Sequence, residues 1–63
     1  MIWVHGTTIR GTRCGFLRSR VTGWERTDVG LYVETDGGFY ELRATSAEVE
    51  GLISQIESEG GEE

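Results

Sequence analysis

Asp36 and Gly37 stand between two runs in which apolar and polar residues alternate, Val29 to Thr35 before them and Phe39 to Ala44 after. Asp-Gly in that setting predicts a two-residue hairpin turn of type I′, which asks for positive φ at both central positions. The register follows from side-chain chemistry. With Asp36-Gly37 as the turn, Val33 lies opposite Tyr40 and Leu31 opposite Leu42, so apolar meets apolar. Sliding the turn to Gly37-Gly38 sets Glu34 against Glu41, an unfavourable like-charge pair, and a one-residue slip also turns side chains to the wrong face. The first register places Leu31, Val33, Tyr40, Leu42 and Ala44 on the core side of a sheet.

A helix follows the hairpin. Thr45-Ser46-Ala47-Glu48 has the spacing of a capping box, in which the Thr45 and Glu48 side chains satisfy each other's free amides. Val49, Leu52, Ile53 and Ile56 recur at i, i+3, i+4 and i+7, one apolar stripe that predicts burial across the core face. Gly51 interrupts the helix at a cost of roughly 1 kcal/mol relative to Ala, and the expectation is that it lets a strand or an aromatic ring approach closely. Glu57 and Glu59 sit at the negative end of the helix dipole, where carboxylates are unfavourable. The last turn is expected to fray into a disordered acidic tail at residues 60–63.

The N-terminal half is less regular. Met1 to Thr8 alternates as a strand, with Ile2 and Val4 on one face and Trp3 and His5 on the other. Residues 10–15, Arg-Gly-Thr-Arg-Cys-Gly, read as a loop or a strongly bent hairpin connection. A second strand is expected from Phe16 to Gly23 and a loop from Trp24 to Asp28. Pairing through that loop sets Val21 against Leu31 and Ser19 against Val33, and brings Leu17 and Val21 onto the core face. The fold class is α+β: a small antiparallel sheet of about four strands, order β-β-β-β-α, free to curl strongly, with one C-terminal amphipathic helix on one face. Residues 1–59 make a single domain.

With 63 residues, such a domain buries only about 60% of its unfolded surface and is marginal without a supplement. One cysteine, Cys14, excludes an internal disulfide, and with the lone His5 it cannot make an ordinary tetrahedral zinc site. Association remains, so a homo-oligomer is expected. No apolar run is long enough for a membrane span, the N-terminus lacks the pattern of a signal peptide, and a single unpaired cysteine suits a reducing compartment. These features point to a soluble cytoplasmic protein. All six basic residues are arginine, which suggests GC-rich coding and is compatible with a viral origin.

The net charge of −5 hides an asymmetry. Residues 1–26 hold five arginines against Glu25, whereas residues 27–63 hold ten carboxylates against Arg43. Charge divided between halves hints at an electrostatic partner, and it equally allows the halves to attract each other.

Catalysis finds no support. Gly6 to Thr12 has the glycine spacing of a phosphate-binding loop, but Thr12 stands at the lysine position and Arg13 where a magnesium-binding hydroxyl belongs. Arginines near Cys14 would lower its pKa, yet a nucleophile needs a positioned base, and nothing in the sequence sets His5 beside it. Glu48, Glu50, Glu57 and Glu59 scatter around the helix as a solvated face. No catalytic, cofactor or metal-binding residue is assigned.

The outer sheet face is the informative region. In this register it gathers Phe16, Arg18, Arg20 and Trp24 from the second strand, Tyr32 and Glu34 from the third, and Phe39, Glu41 and Arg43 from the fourth. Aromatics and arginine are enriched in interface hot spots, which makes Phe16, Arg18, Arg20, Trp24, Tyr32 and Phe39 the candidate partner-binding residues. The same interleaving can stack bases and hold phosphates, although the negative net charge opposes phosphate binding. Coverage of the face by the first strand is the structural alternative. The function expected is a small non-catalytic protein-binding module, an adaptor or inhibitor that occludes a partner surface. A nucleic-acid-binding regulator using the basic-aromatic half is the alternative, and an acidic DNA mimic is the third.

Overall fold

A computed structural model describes residues 1–57 of the chain. Its elements in order are β1 (Trp3–Thr7), β2 (Arg13–Leu17), a 3₁₀ turn (Arg18–Arg20), β3 (Val21–Arg26), β4 (Gly30–Thr35), β5 (Gly38–Arg43) and α1 (Ser46–Glu57). The architecture is α+β, with five antiparallel strands where about four were expected. They form a two-stranded sheet, β1-β2, and a three-stranded sheet, β3-β4-β5. The sheets stay open rather than curling into a barrel, and they touch through a bridge between Thr8 and Leu42. Beside it the Ile9 N–H donates to the Glu41 carbonyl at 3.0 Å.

The β4–β5 hairpin has the register argued from side-chain chemistry: Leu31 faces Leu42, Val33 faces Tyr40, and Thr35 faces Gly38. Its turn is not of type I′. Among the described residues no non-glycine residue has positive φ, which excludes Asp36, and Gly37 is not among the positive-φ glycines; Gly38 is, at 145°. Thr35 supplies what the turn needs. Its Oγ1 accepts from the Gly37 N–H and donates to the Gly38 carbonyl, both at 3.2 Å.

The strand expected from Phe16 to Gly23 is broken by the 3₁₀ turn. The cause is that its two ends serve different sheets. Phe16 pairs with Val4 across the β1–β2 hairpin, whereas Val21 opens a strand that pairs with β4. β3 consequently runs through the expected 24–28 loop, pairing Trp24 with Val33 and Arg26 with Leu31, past an irregularity between Val21 and Gly23. The pairings of Val21 with Leu31 and Ser19 with Val33 do not form. The expected loop at 10–15 also contracts. Thr8 and Thr12 close the β1–β2 turn, with the Thr8 N–H donating to the Thr12 carbonyl at 2.8 Å, and Arg13 to Gly15 belong to β2.

Val4 and Phe16 from the first hairpin, Leu31, Val33 and Leu42 from the second sheet, and Val49, Leu52, Ile53 and Ile56 from α1 form one buried cluster. Each such side chain contributes about 1.5–3 kcal/mol when fully buried. Tyr40, Ala44, Val21, Trp24 and Cys14 are half-buried against it, and Tyr40 stacks on Phe16 with ring centroids 5.0 Å apart. The helix starts at the expected capping box: the Thr45 N–H donates to Glu48 Oε1 at 2.8 Å, and the Glu48 N–H to Thr45 Oγ1 at 3.2 Å. An ion pair between Arg26 and Glu50 ties α1 to β3. Gly51 has open space where its Cβ would be, so no close approach explains it. Among the described residues no helix is long and apolar enough to cross a membrane. Glu59 and the tail expected at 60–63 lie outside the described residues.

Candidate partner-binding surface

Successive residues of a strand point to opposite faces of its sheet. In β3-β4-β5 the core-facing set is Trp24, Leu31, Val33, Tyr40 and Leu42, which leaves Glu25, Tyr32, Glu34, Phe39, Glu41 and, at the end of β5, Arg43 on the outer face. The register brings these together as neighbours. Tyr32 is paired with Glu25 on one side and Glu41 on the other, and Glu34 is paired with Phe39. The Tyr32 and Phe39 rings meet diagonally, centroids 5.6 Å apart and planes tilted by 30°. The Tyr32 hydroxyl donates to Glu34 Oε2 at 3.4 Å. Desolvation, then the charges of Glu34, Glu41 and Glu25, push the Tyr32 phenol above its ordinary pKa. Phe39 is 62% exposed, although a phenylalanine is ordinarily a core residue. Beside it Thr8, Ile9, Arg10, Thr12 and Glu41 border a shallow hollow.

The six residues grouped from sequence divide among several environments. Tyr32 and Phe39 are the pair that stays together on the outer face. Phe16 is buried in the core, because β2 turns it toward Val4 and Tyr40. Trp24 belongs to the core side, because β3 pairs it with Val33. Arg18 and Arg20 leave the sheet for the 3₁₀ turn. There the Arg20 Nε donates to Asp36 Oδ1 at 2.9 Å, while Arg18 is half-buried. The first strand does not cover the outer face; it packs Val4 into the core and sets Gly6 against Leu42.

Arg20 and Asp36 instead border a second depression, of about 270 Å³, with Trp3, Phe16, Leu17 and Tyr40. Trp3 is 52% exposed. Arg43, outward on β5, borders a third hollow with His5 and Glu48. Arg18 and Arg20 are thus on a different surface from the exposed aromatic pair, while Arg43 at the end of β5 and Arg10 across the hollow lie at the margins of the outer face.

Glu25 is the residue that sequence reasoning missed, having been placed in a loop. Simple alternation did not announce it, because Val21 and Trp24, both packed against the core, stand three residues apart across the irregularity between Val21 and Gly23. Ile9, 44% exposed beside Phe39, carried no comparable signal.

Burial pushes the Cys14 thiol up, against a smaller lowering by the backbone of Gly6, and no arginine is among the causes. The glycines at 6 and 11 belong to a β-hairpin rather than a strand-to-helix phosphate loop. Among the described residues no group of three or more His, Cys, Asp or Glu could hold a metal ion. No family model, curated protein or solved structure matches the chain.

Proposed function

We propose that the chain is a small, non-catalytic protein-binding module, an adaptor or inhibitor that acts in the cytoplasm by occluding a partner surface. The observation that carries this reading is the outer face of β3-β4-β5, where Phe39 stands 62% exposed in contact with Tyr32. Aromatic pairs on an otherwise polar surface supply large contact area with few side-chain torsions to freeze, and such residues anchor interfaces. The face carries three carboxylates, Glu25, Glu34 and Glu41, against Arg43 alone, so a two-fold contact through it brings an excess of negative charge together. The face therefore suits a different chain better than a copy of itself.

Photo-crosslinking tests the reading. Benzoylphenylalanine replaces Phe39 in one variant and Arg13, on the β1–β2 hairpin, in another, both produced in the native cells. A discrete protein adduct from position 39, absent from position 13 and competed by the unmodified chain, is the expected outcome. Nucleic-acid adducts, or none from position 39, overturn it.

A further inference from the structure

We infer that the outer face of β3-β4-β5 receives an arginine-bearing segment of the partner, one guanidinium lying on the Tyr32–Phe39 rings within the reach of Glu25, Glu34 and Glu41. This rests on the protein-binding reading above and names the chemistry of the partner.

The argument is one of charge complementarity around an apolar centre. Glu25, Tyr32 and Glu41 form a cross-strand row, and Glu34 and Phe39 form the row beside it. Three carboxylates thus surround two rings. Among the described residues no ion pair engages Glu25, Glu34 or Glu41, while Asp36 and Glu50 are paired with Arg20 and Arg26. Two arginines of the chain lie at the margins: Arg10 borders the hollow beyond Phe39, and Arg43, the next outward residue after Glu41 on β5, lines the hollow shared with His5 and Glu48. Neither forms an ion pair with the three. Tyr32 has its pKa raised first by desolvation and then by Glu34, Glu41 and Glu25.

An apolar or anionic partner would remove those carboxylates from water without compensation, which is costly. A cation reverses the sign of that effect. Guanidinium is preferred to ammonium because it is planar, weakly hydrated and able to stack on a ring while its N–H fork reaches carboxylates on either side. Ring and carboxylate together define the site; neither suffices alone.

The test uses the full chain, labelled for NMR, titrated with a peptide of alternating glycine and arginine and with its lysine and glutamate counterparts. Shifts concentrated at residues 25, 32, 34, 39 and 41 are expected with the arginine peptide, weaker ones with lysine and none with glutamate. Glu34→Gln with Glu41→Gln, and separately Phe39→Ala, should each weaken binding by about tenfold, the loss of one interface anchor. Glu48→Gln with Glu57→Gln on α1 should leave it within about twofold, because that pair changes the same net charge away from the rings. Equal losses from the helix variant, shifts spread over α1, or a dimer that blocks the face overturn the inference. If the peptides fail while position 39 still crosslinks to a protein, the basic-segment inference falls and the protein-binding reading stands. If both fail, both fall.

Discussion

Gly30 runs so close beneath β5 that a Cβ on it would lie 2.1 Å from the Leu42 carbonyl oxygen and 2.8 Å from the Ala44 nitrogen. Both are backbone atoms, one in β5 and one just past its end, and cannot step aside as a side chain could. The approach is locked from the other direction by Thr27, whose Oγ1 accepts from the Gly30 N–H at 3.0 Å. Gly30→Ala is therefore expected to cost on the order of 3 kcal/mol or more, in the range reserved for backbone conflicts. Urea denaturation checks it. A Gly30→Ala chain as stable as wild type would mean that β4 does not enter the sheet at this distance.

The hairpin turn makes a paired prediction. Gly38 holds φ at 145° whereas Gly37 is not in the positive range, so the β-branched residue is resisted at 38 rather than at 37. Gly38→Val should cost about 1–3 kcal/mol, the usual scale for a non-glycine residue in that region. Gly37→Val should cost less. The reverse order in thermal melts would restore the type I′ turn that Asp-Gly suggests.

What was legible in the sequence depended on whether the deciding interaction was local. The β4–β5 register was decided by residues a few positions apart, Glu34 and Glu41 against Val33 and Tyr40. The capping box of Thr45 and Glu48 and the stripe from Val49 to Ile56 were also local. The break at Arg18–Arg20 was not, because it comes from Phe16 and Val21 joining different sheets. Alternation runs unbroken through that segment, so nothing local announced the turn. Missing that break displaced every expected pairing of β3, setting Trp24 on the outer face and hiding Glu25. Of the aromatic-arginine site, Tyr32 and Phe39 survived together because both lie in the hairpin whose register was readable.

The helix should respond in opposite directions at adjacent positions. Leu52 and Ile53 are buried at the centre of the stripe, and either changed to Ala should cost about 2–5 kcal/mol. A domain this small has little more than that to lose, so Ile53→Val, expected to cost about 0.5–1.5 kcal/mol, provides a folded comparison. Gly51 is exposed and a Cβ there meets nothing within 4 Å. Gly51→Ala should then stabilise by up to about 1 kcal/mol through helix propensity alone. Calorimetric melts of the set would refute the packing if Gly51→Ala lowered the midpoint or both core alanines left it unchanged.

Acid should loosen the attachment of α1 to β3. The hydrogen bond from Arg26, and then its charge, hold the Glu50 carboxyl below its ordinary value. A depressed folded pKa contributes stability that is present above the ordinary glutamate pKa of about 4.3 and lost as pH falls through the lower folded value. Both side chains are more than half exposed, so solvent screening keeps the contribution small. Glu50→Gln should flatten the acid limb of stability against pH, with 1 M salt doing the same to wild type. A Glu50→Gln limb as steep as wild type would show that the pair adds nothing in solution.

Tyr32 offers a test of the carboxylate-ringed face that needs no partner. Its phenol is raised first by desolvation and then by Glu34, Glu41 and Glu25, so two kinds of cause can be separated by mutation. In a Tyr40→Phe background, which leaves Tyr32 as the sole tyrosine and keeps a ring against Phe16, ultraviolet titration should place its ionisation above the ordinary value of about 10. Glu34→Gln with Glu41→Gln should bring it part of the way down, the remainder being desolvation. Glu48→Gln on the helix should leave it in place. A raised folded pKa also means that the associated stability is present below the ordinary value and lost as pH rises through the folded one. Tyr32→Phe should accordingly shed that alkaline loss. An ionisation unmoved by the double carboxylate change would show that the rings do not sense Glu34 and Glu41, and the electrostatic ground for a cationic partner at this face would go with it.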